Sequence, residues 1–154
     1  LMKTIDSAFF IVKEERIVYN IKRDEVMDMY YLDTDIPVEL FQRVLKKKIY
    51  VDKSGLITKT NEVLGTEQRF VCVSRPRRFG KSMAANMLAA YYGRGEDSAE
   101  LFSALRIHTD KSFREHLNQY DVIRINMQEF LSAAPDMDEM LKLLQKRILR
   151  ELKM

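Results

Sequence analysis

The chain is poor in several things at once. It has one cysteine, Cys72, among 154 residues, so no intrachain disulfide can form. That cysteine stands in the apolar run Phe70-Val71-Cys72-Val73, where a thiol is expected to be buried and inert. Only two histidines occur, His108 and His116, with no histidine pair at helical spacing. A zinc site is therefore not expected, and both histidines read as surface helix residues. Three prolines and five glycines leave no long flexible linker. No apolar stretch approaches the roughly 20 residues that a bilayer-spanning helix needs. The opening LMKTIDSAFFIV has a short apolar patch but not the long apolar region and small-residue cleavage site of a secretory signal. The expected setting is the reducing cytoplasm.

What is present suits one globular domain. The length favours a single unit, and a 46% hydrophobic fraction is enough to build a core. The net charge of +3 is too small by itself to imply a nucleic-acid partner. The placement of the basic residues says more. Arg43, Lys46, Lys47, Lys48 and Lys53 form one group, and Arg69, Arg75, Arg77, Arg78 and Lys81 form another. The run 43–48 reads first as a solvated face.

Periodicity gives the elements. Residues 9–21 read as two short strands, Phe9 to Val12 and Arg16 to Ile21, that would pair as a hairpin. A short helix is expected around Glu25 to Tyr30. Ile36-Pro37 marks a boundary, and apolar residues at 40, 41, 44 and 45 predict a helix over 38–47. Ile49 to Val51 reads as a short extended piece. Another helix is expected over 54–64, with Gly65 in the stop position. Arg69 to Ser74 reads as a strand and Lys81 to Tyr92 as a helix stopped by Gly93 and Gly95. Shorter helices are expected over 97–105 and 111–117, and a strand over 122–127. Asp136 with Glu139 resembles a capping box opening a helix to Leu152, with a core-facing stripe at 137, 140, 141, 144, 148 and 152. Strand–helix–strand alternation after residue 68 predicts an α/β unit with parallel strands.

The stretch VCVSRPRRFGKSM, residues 71–83, carries the chemistry. A polyphosphate needs several N–H groups facing one concavity and the positive end of a helix dipole. It also needs a lysine for the terminal phosphates and a neighbouring hydroxyl for magnesium. Here Gly80 allows close backbone approach, and Lys81 and Ser82 follow in the required order. The general pattern asks for a glycine five residues before Gly80, and that position is Arg75. Pro76 removes one N–H donor and stiffens the turn. Arg75, Arg77 and Arg78 add cations suited to phosphate. The competing reading is a basic strand-to-helix turn that contains Gly-Lys-Ser by chance. Phe79 fits either reading.

IPVELFQRVLKKKIYVDKSGLI, RFVCVSRPRRFGKSMAANMLAAYYG, ELFSALRI and YDVIRINM together resemble the bacterial AAA-ATPase-like family. The octet RPRRFGKS and the upstream Tyr50-Val51-Asp52-Lys53-Ser54 are its most specific marks, and the resemblance covers about residues 35–132. It implies the N-terminal portion of a P-loop domain over 35–154, with a three-layer α/β fold and a mostly parallel sheet. Residues 1–34 are then an unmatched, hairpin-like extension. It implies ATP binding with Mg2+ through a variant Walker A loop: Arg75, Pro76, Arg77, Arg78, Phe79, Gly80, Lys81, Ser82 and Met83 around the phosphates. Lys81, the expected catalytic residue, meets the β- and γ-phosphates, and Ser82 meets the metal. Asp52 and Lys53 are either an ion pair in a surface turn or, by the resemblance, close to the base or ribose. Family members are often fused to a PD-(D/E)XK nuclease-like domain, which would bring nucleic acid as a partner. The acidic strand end that would hold magnesium and orient water does not follow Val122 to Met127, so this chain reads as the front half of an ATPase, binding rather than hydrolysing.

Two other readings stay open. The arginine loop and Lys46–Lys48 suit a nucleic-acid-binding module, although no aromatic stacking motif accompanies them. A fragment with exposed strand edges would favour self-association or a protein partner.

Overall fold

A computed structural model describes residues 8–12, 35–74, 76, 78–126, 130 and 132–152. Its helices follow the sequence closely. Helix α1 is Ile36–Leu45, and Pro37 sits in its first turn, where a missing N–H costs nothing. Helix α2 is Gly55–Val63, followed by Gly65 in the left-handed region at φ 78°. Helix α3 is Lys81–Tyr92. Two single-turn helices, α4 (Ala99–Phe102) and α5 (Phe113–His116), stand where longer ones are expected. Helix α6 is Met137–Leu152, and the Asp136 carboxylate accepts the Glu139 N–H at 2.9 Å. Glu139 itself turns to Lys142, also at 2.9 Å.

Helix α3 is the axis of the unit. Residue 84 and residues 86–92 are all buried, so it is covered on every side rather than along one stripe. Helix α1 lies against it and brings in Phe41, which is 0% exposed and stacks on Phe102 with ring centroids 5.4 Å apart. Tyr91 meets Phe102 edge-on at 5.5 Å and Tyr92 meets Tyr120 edge-on at 5.6 Å. A second cluster forms around Ile125, Phe130 and Met140, with Leu143, Leu144 and Ile148 packed against it. The buried line of α6 is thus shifted from the expected stripe, and Met137 and Leu141 remain exposed.

Strand β1 (Ala8–Val12) pairs antiparallel with β2 (Asp121–Ile125), Ala8 opposite Ile125 and Val12 opposite Asp121. The only parallel pairing among the described residues is the isolated bridge between Gly93 and Tyr120. The fold is therefore helix-rich and mixed, consistent with part of an α/β unit, and a mostly parallel sheet is not shown. The second strand of the expected hairpin, the helix at 25–30 and residues 153–154 lie outside the described residues, as do Arg75 and Arg77.

The strand expected over 69–74 does not form. Glu67–Arg69 is one 3-10 turn capped by the Thr66 hydroxyl, and residues 70–74 are irregular. No described strand lies alongside to complete a hydrogen-bond ladder, which a strand requires. Phe70 is 83% exposed, and the Arg69 guanidinium lies 4.9 Å from its ring centroid. Cys72, expected to be buried, is exposed for the same reason: its apolar neighbours do not enter the core. His116, expected at the surface, is half-buried and stacked on Tyr120, with 2.5 Å between Nδ1 and the phenol oxygen. His108 is exposed, as expected.

Candidate nucleotide site

The loop is built from its backbone outward. The Phe79 N–H donates to the Pro76 carbonyl at 3.4 Å and closes a tight turn. Arg78 and Gly80 both lie in the left-handed region, at φ 67° and 80°. Glycine adopts that conformation freely, and an arginine there is strained by about 1–2 kcal/mol. Gly80 caps α3, and its carbonyl accepts the Ala84 N–H at 2.9 Å. Lys81 follows at once, half-buried, with Ser82 exposed beside it and Met83 half-buried. No acidic residue stands in the first turn of α3, where a carboxylate would compete with an anion for the positive end of the helix dipole. Phe79 is 60% exposed and does not pack beneath the turn. Pro76 and Arg78 are exposed as well.

The segment Asp52-Lys53-Ser54 comes up against this turn. Lys53 Nζ donates to the Phe79 carbonyl at 2.7 Å. A Cβ built on Gly80 would stand 2.9 Å from that same nitrogen. Asp52 and Lys53 are not an ion pair with each other, because Asp52 faces the other way. Its carboxylate accepts the Arg106 N–H at 2.9 Å and the Ser54 N–H at 2.8 Å. Burial works against the charge on Asp52, but these donors outweigh it and hold its carboxyl below the usual range. The structure thus brings Lys53 to the loop and leaves Asp52 as the anchor of the segment.

Two features were not visible from periodicity. Ser54 is fully buried, and its hydroxyl accepts the Ile107 N–H at 3.2 Å. Behind the loop, α2 is tied to the C-terminal end of α3 through polar side chains. Asn61 Nδ2 donates to the Tyr91 hydroxyl at 3.1 Å and to Ser112 Oγ at 2.8 Å. The Tyr92 hydroxyl donates to Asn61 Oδ1 at 2.6 Å. Burial pushes the Tyr91 phenol up to about 12 and raises that of Tyr92 further, so both are neutral donors at ordinary pH. The sequence signal is the placing of Thr60 and Asn61 on the same helical face as Ile57, a polar pair where a core stripe is due.

Residues 35–154 match the family model described as Predicted AAA-ATPase, so the class is that of the predicted AAA-ATPases. The chain belongs to the AAA-ATPase-like family. Membership suggests nucleotide binding in general terms, with metal use alongside. No curated protein and no solved structure matches the chain. No helix among the described residues is long and apolar enough to cross a membrane.

Proposed function

We propose that the turn at residues 75–83 binds the phosphates of ATP with magnesium. The observation that carries this reading is the passage from a left-handed Gly80 directly into Lys81 at the start of a buried 12-residue helix whose first turn holds no acid. Lys81 serves the β- and γ-phosphates, and Arg75, Arg77 and Arg78 supply further cations around them. The backbone at Pro76, Phe79 and Met83 shapes the cradle. Ser82 offers one hydroxyl oxygen to Mg2+, which takes the rest of its octahedral shell from phosphate oxygens and water. Met, Ala and Phe around the turn offer the ion no competing donor. Residues 35–154 are read as the portion of a P-loop domain that carries this loop. The mostly parallel sheet of such a domain belongs to this proposal. Turnover would further require acids that hold the metal and orient water, so the role proposed for this turn is binding.

Titration of a fluorescent ATP analogue with Mg2+ into the wild type and Lys81→Ala tests it. Loss of a charge-assisted contact predicts weakening of about tenfold to a hundredfold. Equal affinity in both proteins overturns the reading. A second reading, a nucleic-acid-binding surface, draws on the exposed run Lys46, Lys47 and Lys48 beyond α1. Affinity for DNA or RNA would then fall steeply with salt.

A further inference from the structure

Lys53 stands on a fixed base. On one side the Asp52 carboxylate holds the Arg106 N–H, and on the other the buried Ser54 hydroxyl holds the Ile107 N–H. Both contacts involve backbone donors in the 3-10 turn Arg106–Thr109, so the lysine's main chain is tied on each flank. From this base the ammonium reaches the Phe79 carbonyl at 2.7 Å. It lies over Gly80, where a Cβ would crowd it at 2.9 Å.

A trans peptide holds its C=O and N–H in opposite directions. With the Phe79 oxygen turned to Lys53, the Gly80 N–H points to the other side of the turn. We propose that Lys53 is a positioning residue of the loop. By holding the Phe79 carbonyl it fixes the Phe79–Gly80 peptide so that the Gly80 N–H is directed at the phosphate-binding face. Released, the peptide can turn over and present a carbonyl, an acceptor, to an anion. This assigns Lys53 to the phosphate end of the site rather than to the base or ribose, and it rests on the nucleotide reading above.

The test uses the full chain with Lys53→Met, which keeps length and removes the donor, and Lys53→Arg, which restores a cationic donor. The first readout needs no nucleotide: the NMR position and hydrogen exchange of the Gly80 amide. The expected result is a clear change in Lys53→Met and reversion toward wild type in Lys53→Arg. The second is titration of the fluorescent ATP analogue with Mg2+, with about tenfold weakening in Lys53→Met and rescue in Lys53→Arg, the scale of one charged hydrogen bond. An unchanged Gly80 amide in Lys53→Met overturns the inference. So does wild-type affinity in that variant, or an equal loss in Lys53→Arg. Melting curves check that the variants fold, and Lys53→Gln replaces Lys53→Met if the latter does not. A wild type that binds no analogue sinks the nucleotide reading instead, with the amide comparison still deciding whether Lys53 fixes this peptide.

Discussion

Helix α3 has two ends in contrasting surroundings. At its C-terminal end Tyr91 and Tyr92 are 0% exposed, ringed by aromatic side chains, and their hydroxyls have partners from α2 and α5. At its N-terminal end a turn with two left-handed residues, one of them Arg78, leads out to an apolar but exposed approach. The contrast separates two tasks. The buried end fixes where the helix lies. The open end carries backbone strain at Arg78 and a first helical turn without an acid, features that suit an anion. If this division is right, mutations at the buried end should act on stability, and mutations at the open end should act on the loop with little effect on the fold.

Phe41→Ala should have the largest effect. The ring is fully buried between α1 and α3, stacked on Phe102 and edge-on to Tyr50 at 6.3 Å. Truncating such a ring removes its burial and leaves a cavity, at a cost of about 3–5 kcal/mol. Against a typical total of roughly 5–15 kcal/mol, thermal unfolding should begin on the order of 10 °C lower. Chemical denaturation gives the free energy directly. A loss below about 1 kcal/mol would mean that the buried end is not the mechanical base of the unit.

Asn61→Ala should come next, and a count of protons sets its size. Thr60 and Tyr92 have two hydroxyl protons for three contacts: Thr60 to the Ile57 carbonyl, Thr60 with Tyr92, and Tyr92 to Asn61. Removing Asn61 Oδ1 frees the Tyr92 proton for Thr60, so that hydroxyl is not stranded. The Tyr91 hydroxyl still donates to the Phe113 carbonyl at 2.8 Å, and Ser112 Oγ still donates to Asp110 at 2.7 Å. The loss is therefore expected near 1–2 kcal/mol rather than the larger penalty of an orphaned buried group. Equilibrium urea unfolding measures it. A loss above about 4 kcal/mol would show that the proton count is wrong and that the network has no spare acceptor.

The same contrast explains what the sequence disclosed. Helices α1, α2 and α3 could be placed from spacing and stop signals because each depends on local chemistry: Pro37 at a start, Gly65 past an end, alanine and leucine between. The turn at Gly80 and the start of α3 at Lys81 were legible for the same reason. The segment 70–74 has the composition of a strand but forms none, because a strand is made by its neighbours as much as by its own residues, and an apolar run says nothing about whether a partner lies beside it. The burial of Cys72 failed with that strand. The contact from Lys53 to Phe79 joins two segments through a tertiary approach, and no periodicity encodes it. The motif YVDKS signalled that the segment mattered, but only the geometry separates Asp52, an anchor, from Lys53, which reaches the loop.

Gly80→Ala should cost no more stability than Asn61→Ala, and it tests the open end most sharply. At φ 80° an alanine is strained by about 1–2 kcal/mol, because its Cβ crowds the backbone in the left-handed region. The atoms its Cβ would meet are Lys53 Nζ at 2.9 Å and Met83 Cε at 3.2 Å, both far ends of flexible side chains that can move aside. No backbone or buried ring stands in the way, so the clash adds little to the strain. Melting should fall by only about 2–6 °C, and the near-ultraviolet signal of the tyrosine cluster should stay as in wild type. Displacing Lys53 nevertheless breaks its hold on the Phe79 carbonyl, so exchange at amides 79–82 should quicken while that of the Tyr91 and Tyr92 amides stays slow. Equal quickening at both ends would show that α3 opens as one unit and would dissolve the division between its buried base and its open turn.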